Sequence, residues 1–361
     1  MPGRKGATLG LVPVPRRLLL VALAAALVAG VAFETNADDA DIAVEKRTDA
    51  IERLERQRGR RPLPPPGLLQ EPADGSGAVP APSDETPPVV ALDPPADPAP
   101  APDVDLAVVP VAADDPAGLA EQIRTAEQAI RSADPTPVEL AYHGHLQQVA
   151  YRALADRPDW DGAVAQALPE GLRPIMAANV AAGRELAQPH ARPQTKLPAW
   201  RIVEPAPAAE LRAYYEEGEA VYGVPWEYLA AVNLTETRMG RIRGLSSAGA
   251  QGPMQFIPST WASYGQGDIN DPHDAILSAA RYLAANGGGS GNLPNALYRY
   301  NPVSWYVNAV TAYAEQMVAD ERAYLGYHAW QVYYATSLGD VLLPVGYESA
   351  ERRPVTPADV G

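Results

Sequence analysis

Trp226-Glu-Tyr-Leu-Ala-Ala-Val-Asn-Leu-Thr-Glu236-Thr-Arg-Met-Gly240 is the stretch on which the reading of this chain turns. Leu229, Val232, Glu236 and Met239 recur at helical spacing, which predicts an amphipathic helix with a carboxylate on its apolar face. A carboxyl group so placed loses hydration. Its pKa is expected to rise, leaving a proton to donate at neutral pH. The ordinary alternative is a glutamate at the rim of that face, reaching out to solvent.

The residues that follow favour the first reading. They run Ser246-Ser-Ala-Gly249-Ala-Gln-Gly252-Pro253-Met254-Gln255-Phe-Ile-Pro-Ser-Thr-Trp261. Glycines at 249 and 252 let the backbone turn tightly or approach a ligand closely, and Gln255 can both donate and accept hydrogen bonds. Farther on, Ala296-Leu-Tyr-Arg-Tyr300-Asn301 places a phenol and an amide at the end of a short helical run. These blocks resemble the SLT-domain lytic transglycosylases, goose-type-lysozyme-like glycosidases that cut peptidoglycan. The pattern of that family is a catalytic Glu followed by Ser, then S-x-x-G-A-x-G-x-M-Q, then Tyr-Asn. All three blocks occur here in order within residues 208–320. One block alone is weak; three in series are specific. Thr237 stands where the family usually has Ser, keeping the hydroxyl with less rotamer freedom. Pro253 replaces the usual Leu, removing a backbone donor and fixing φ.

The resemblance implies a mainly α, lysozyme-like catalytic domain with small loop or hairpin elements, its cleft lying between the Glu236 helix and the loops after it. Glu236 and Tyr300 would be catalytic. Thr237, Ser246, Met254, Gln255 and Asn301 would orient groups near the acid or shape the sugar subsite. Most glycosidases use two carboxylates. Asp271 and Asp274 read as helix-starting residues, leaving Asp268 as the candidate second acid. The family scheme needs one: Glu236 protonates the leaving oxygen between N-acetylmuramic acid and N-acetylglucosamine, then takes a proton from the C6 hydroxyl, which closes a 1,6-anhydro ring. No cofactor or metal is implied. The alternatives are a lysozyme-type hydrolase in the same cleft and a non-catalytic peptidoglycan-binding scaffold. Other cell-wall proteins are a further class of partner.

Composition says where the chain cannot fold. Residues 62–115 hold 15 of the 38 prolines and ten Asp or Glu, with no Lys or Arg, so they account for −10 of the net charge of −15. Such a stretch has too little apolar surface for a core and reads as a stiff, disordered linker. No basic face marks nucleic-acid binding. Cys is absent, which excludes disulfides, thiolate metal sites and a lipidated Cys.

At the N-terminus, Arg4, Lys5, Arg16 and Arg17 precede an apolar run from Leu18 to Phe33. Positive charge before such a run points to an extracytoplasmic protein, anchored in the membrane by this segment or secreted after its cleavage. The run is short of the usual span of about 20 residues. Residues 1–37 therefore read as a signal or anchor and 38–115 as a charged stalk and Pro-rich linker. Helical patterns from Asp115-Pro116 onward (138–155, 159–167, 172–187) predict an accessory segment over 116–190. The Pro-rich 188–207 reads as a connector. In the catalytic domain, Asp271-Pro272 and Ser304 read as helix starts, and 240–266 as loop or short hairpin. Residues 321–361 form an aromatic, β-prone extension, read as a surface hairpin over 324–347. His143 and His145 lie i,i+2 with no third ligand and read as solvated or capping residues.

Overall fold

The computed structural model of the protein describes residues 108–188 and 193–360. The signal or anchor segment, the stalk and most of the linker lie outside the described residues. Among the described residues no helix is long and apolar enough to cross a membrane.

Four helices precede the matched motifs: α1 (Pro116–Ile130), α2 (Pro137–Ala155), α3 (Asp161–Ala167) and α4 (Arg173–Ala187). Two short strands follow, β1 (Lys196–Leu197) and β2 (Arg201–Ile202). Then come α5 (Ala208–Tyr222), α6 (Trp226–Thr237), β3 (Ile242–Arg243), α7 (Pro258–Tyr264), α8 (Pro272–Ala285), α9 (Leu293–Tyr300), α10 (Ser304–Ala319) and α11 (Ala323–His328). The chain closes through β4 (Val332–Thr336), β5 (Gly339–Leu343) and β6 (Arg353–Pro354).

The caps follow the sequence at two helices and depart from it at a third. Asp115 accepts from the Ala117 and Gly118 amides to start α1, and Asp271 accepts from the Asp274 amide to start α8. Ser304, expected to cap α10, is instead its first residue, and the helix starts with no side-chain cap. The expected amphipathic helix at Glu236 is also different. Leu229 to Leu234 are all buried, so α6 runs through the core rather than along its edge. A helix that is apolar all round is a core helix. It also stops early, at Thr237, leaving Met239 outside it.

One apolar cluster runs from Leu119 to Trp330 and takes in all of the helical layers. Within it α10 packs on α6 and on α4, so the accessory helices buttress the helix that faces Glu236. Asn308 on α10 donates to Glu185 on α4 at 2.8 Å, and Tyr327 donates to Asn179 on α4 at 2.8 Å.

A second, smaller core joins the connector to the C-terminus. Leu197 and Ile202 are buried against Val332, Tyr334, Val341 and Leu343. β1 pairs antiparallel with β6, β2 with β3 and β4 with β5. The connector is thus strand and core rather than plain linker. The expected hairpin occupies 332–343 within the stretch, and residues 323–328 are helix. The linker also ends sooner than its composition suggests: Pro110 is buried, and Gln122 bonds the backbone of both Val111 and Ala113. His145 is neither solvated nor a cap. It is buried, 2.7 Å from the Tyr333 hydroxyl, and burial followed by the charge of Arg241 pushes its imidazole down to about 4.

The accessory layer is pinned by a buried carboxylate. Glu127 is 0 % exposed. It accepts from Gln147 at 2.9 Å and from the Tyr151 hydroxyl, and it pairs with Arg131. Gln147 in turn accepts from the Trp330 indole at 2.8 Å, tying α2 to the C-terminal segment. Removing one member of such a buried network leaves the others unpaired. Glu127→Ala is expected to lower the unfolding free energy by about 3 kcal/mol, read from a denaturant titration. An unchanged midpoint would show that the network adds no stability.

Candidate active site

Glu236 is the penultimate residue of α6 and is half-buried. Tyr306, on α10, donates its hydroxyl to Glu236 Oε1 at 2.8 Å. Tyr300, at the end of α9, lies one ring farther out, parallel to Tyr306 within 2° at a centroid separation of 6.5 Å. Both phenols are pushed well above their ordinary value, first by burial and then by the charge of Glu236. They therefore stay protonated and act as donors, Tyr306 to the carboxylate and Tyr300 to a backbone carbonyl of the neighbouring loop.

Tyr306 is not among the site residues expected from the sequence; it sits in the apolar stripe of α10 with Val310, Tyr313 and Met317. The available signal was a hydroxyl in a stripe that could have been filled by aliphatic residues. Buried tyrosines usually find a partner for the hydroxyl, and here that partner is the acid.

The loop after Glu236 is held by its own carbonyls. Pro253 O accepts from Thr237 Oγ1 at 2.6 Å and from Asn233 Nδ2 at 2.8 Å. The next carbonyl, Met254 O, accepts from the Tyr300 hydroxyl at 2.5 Å. Thr237 Oγ1 also accepts from the Gly240 amide at 3.0 Å, so this one hydroxyl closes the helix end and the loop together. Asn233 is fixed from behind by Tyr215, whose hydroxyl donates to Oδ1 at 2.7 Å. A Pro at 253 is accommodated because the carbonyl, not the side chain, makes these contacts.

Of the residues expected to shape the sugar site, Thr237 and Met254 are each fully buried. Their contribution is to position the loop. Ser246 Oγ accepts from the Ala248 and Ala250 amides at 3.2 and 3.0 Å, folding the start of the loop. Gln255 is half-buried, with Nε2 donating to Gly252 O at 2.9 Å. Asn301 is buried beside Tyr300, and its Oδ1 has no hydrogen-bond partner. Gly252 is needed as glycine: its φ is +72°, and an added Cβ would lie 1.9 Å from the Ile269 carbonyl oxygen.

Backbone strain is concentrated here. The non-glycine residues with positive φ among the described residues are Arg238, Met239 and Gln255, all beside Glu236 or in its loop. Such conformations cost about 1–3 kcal/mol each and persist where surrounding contacts fix them. Arg238 N reaches Leu234 O at 3.1 Å and Met239 N reaches Asn233 O at 3.2 Å, which supplies that fixing.

Asp268 is in an exposed turn, with Oδ1 accepting from the Asn270 amide at 2.9 Å. Ligand atoms of Asp271, His273 and Asp274 come within 4.8 Å of one another, but each has a structural task. Asp271 caps α8, Asp274 accepts from the Asp268 amide, and His273 meets Glu217 at 2.9 Å.

Residues 213–317 match the family model described as the transglycosylase SLT domain. The chain is 32% identical over 75 residues to "Membrane-bound lytic murein transglycosylase F" of Thiobacillus denitrificans, a match covering 21% of this chain and 16% of that protein. The similarity thus spans about a sixth of the relative's length. No solved structure matches. Residues 213–317, with Glu236, the loop and the Tyr300-Asn301 pair inside them, constitute an SLT domain.

The Tyr306 contact generates a test. A hydrogen bond donated to a carboxylate favours its charged form, so Tyr306→Phe should raise the pH at which Glu236 loses its proton. Turnover should fall about tenfold, the equivalent of one hydrogen bond to a charged group. An unshifted pH–rate profile with full turnover would remove Tyr306 from the site.

Proposed function

Starting from an SLT domain whose glutamate is held by a phenol, we propose that this protein is a peptidoglycan lytic transglycosylase. The single observation that carries the reading is Glu236, half-buried at the strained end of a core helix and hydrogen-bonded by Tyr306. The name of the relative supports the same substrate class.

In the proposed reaction Glu236 gives its proton to the glycosidic oxygen as the bond from C1 of N-acetylmuramic acid to that oxygen breaks. Tyr306 holds one carboxyl oxygen and fixes the plane of the group. The carboxylate then takes the proton of the muramic acid C6 hydroxyl as that oxygen bonds C1. Glu236 is regenerated, and the product ends in a 1,6-anhydro ring. A nucleophile tethered to its own electrophile gains a large effective molarity and needs no second carboxylate to activate water. The engagement of Asp268 in its own turn favours this scheme over hydrolysis. Tyr300, Thr237, Ser246 and Met254 position the loop, and Gln255 and Asn301 shape the wall of the sugar site.

The reading places the enzyme outside the cytoplasm, held at the membrane by the apolar run from Leu18 to Phe33.

Glu236→Gln keeps the shape and removes the transferable proton. Cleavage of purified peptidoglycan should fall by about 10²–10⁴-fold, with folding and glycan binding retained. Mass analysis of the wild-type products should show muramic ends lighter by one water than reducing ends. A majority of reducing ends would identify a hydrolase, and retained cleavage by Glu236→Gln would remove the acid from its role. Full-length protein is expected to stay with membranes after a high-salt wash; a processed protein in the medium would show a cleaved signal instead.

A further inference from the structure

A cavity of about 300 Å³ lies between α2, α4, α10 and the β4–β5 hairpin, and Glu236 is not part of its lining. Its wall includes Arg238, the residue that ends α6 in a left-handed conformation. The side chain of Arg238 donates to Leu234 O at 2.8 Å, and among the described residues no carboxylate pairs with it. Burial lowers the guanidinium below its ordinary value, and the positive charge of nearby Arg152 adds to that effect against the opposing influence of Tyr313. A partly buried guanidinium that bonds a carbonyl and faces a cavity is a place where an anionic group can be held.

The rest of the lining has the opposite sign and a different character. Arg152 is already paired with Asp340 and lies 5.0 Å over the Tyr333 ring. Asp156, exposed at the edge, has a carboxyl raised first by partial burial and then by the charge of Asp340. Tyr313, Trp330 and Tyr333 give the cavity apolar walls. A carboxylate suits the Arg238 end and an ammonium suits the Asp156 end. The volume, at the small end for ligand sites, limits the occupant to a few residues.

We propose that this cavity binds a small zwitterion of the amino-acid or short-peptide class, its carboxylate on Arg238 and its ammonium toward Asp156. The site is built largely from elements outside the SLT match, and it bears on the residue that ends the helix carrying Glu236.

The test is a calorimetric titration of the full-length protein with glycylglycine, glycylglycine amide and N-acetylglycylglycine. Binding is measured directly, so the result does not depend on the glycan-cleavage reading. Glycylglycine should bind at one site with a dissociation constant on the order of 1 mM. The amide, which lacks the carboxylate, should bind at least about tenfold more weakly, and the N-acetyl compound should also weaken. Arg238→Gln should cause the same loss as amidation. Because Arg238 also bonds Leu234 O, a second variant keeps the guanidinium intact. At Gly183, which lines the cavity, an added Cβ meets the Ala155 Cβ at an ordinary 3.6 Å. Gly183→Leu should therefore fold, fill the space and abolish binding. No saturable heat with glycylglycine, equal binding of the acid and its amide, or full binding by folded Gly183→Leu would each overturn the proposal.

Discussion

Two consecutive peptide carbonyls, Pro253 and Met254, hold the candidate active site together. They gather Thr237 and Asn233 from α6 and Tyr300 from α9, fixing three side chains of two helices to one loop. These groups are largely removed from water, where an unmade hydrogen bond costs about 1–3 kcal/mol. The loop therefore cannot shift without leaving several of them unsatisfied at once. The arrangement also separates two demands on the sequence. The carbonyls do the holding, so the side chain at 253 is free to vary, whereas Thr237 must keep its hydroxyl and Gly252 must remain glycine against the Ile269 carbonyl.

What the sequence made legible was whatever depends on neighbours along the chain. Glu236, the glycine loop and Tyr300-Asn301 stand out because each motif is local. Asp115 and Asp271 were readable as caps for the same reason. The boundary and burial of α6 were not. Periodicity assumes one wet face, and the run from Leu229 to Leu234, buried throughout, shows none. Tyr306 was hidden similarly: its spacing places it in a stripe, and nothing in a stripe tells which member meets a carboxylate from another helix.

Long-range pairing was the other blind spot. Lys196 lies opposite Pro354 and Arg201 opposite Arg243, so a Pro-rich connector and a C-terminal extension become parts of one small core. The connector alone carries too little apolar pattern to announce a strand, and the hairpin expected in the extension carries no mark of the segment it would cover. His145 shows the same limitation, since its burial follows from Tyr333 on the distant hairpin.

The way α10 is sandwiched has a consequence for where this protein can be cut. One face of α10 presents Tyr306 to the acid, and another rests on α4, far outside the matched 213–317. Tyr313, on the same helix, makes edge contacts with Tyr327 and Trp330, also beyond that range. A fragment trimmed to the SLT limits would keep every residue proposed for chemistry and lose what stops α10 from rolling. Its aromatic flank would meet water, and the phenol would no longer be held against the glutamate. The length of chain that matches the family model and the length that shares one core here are therefore different.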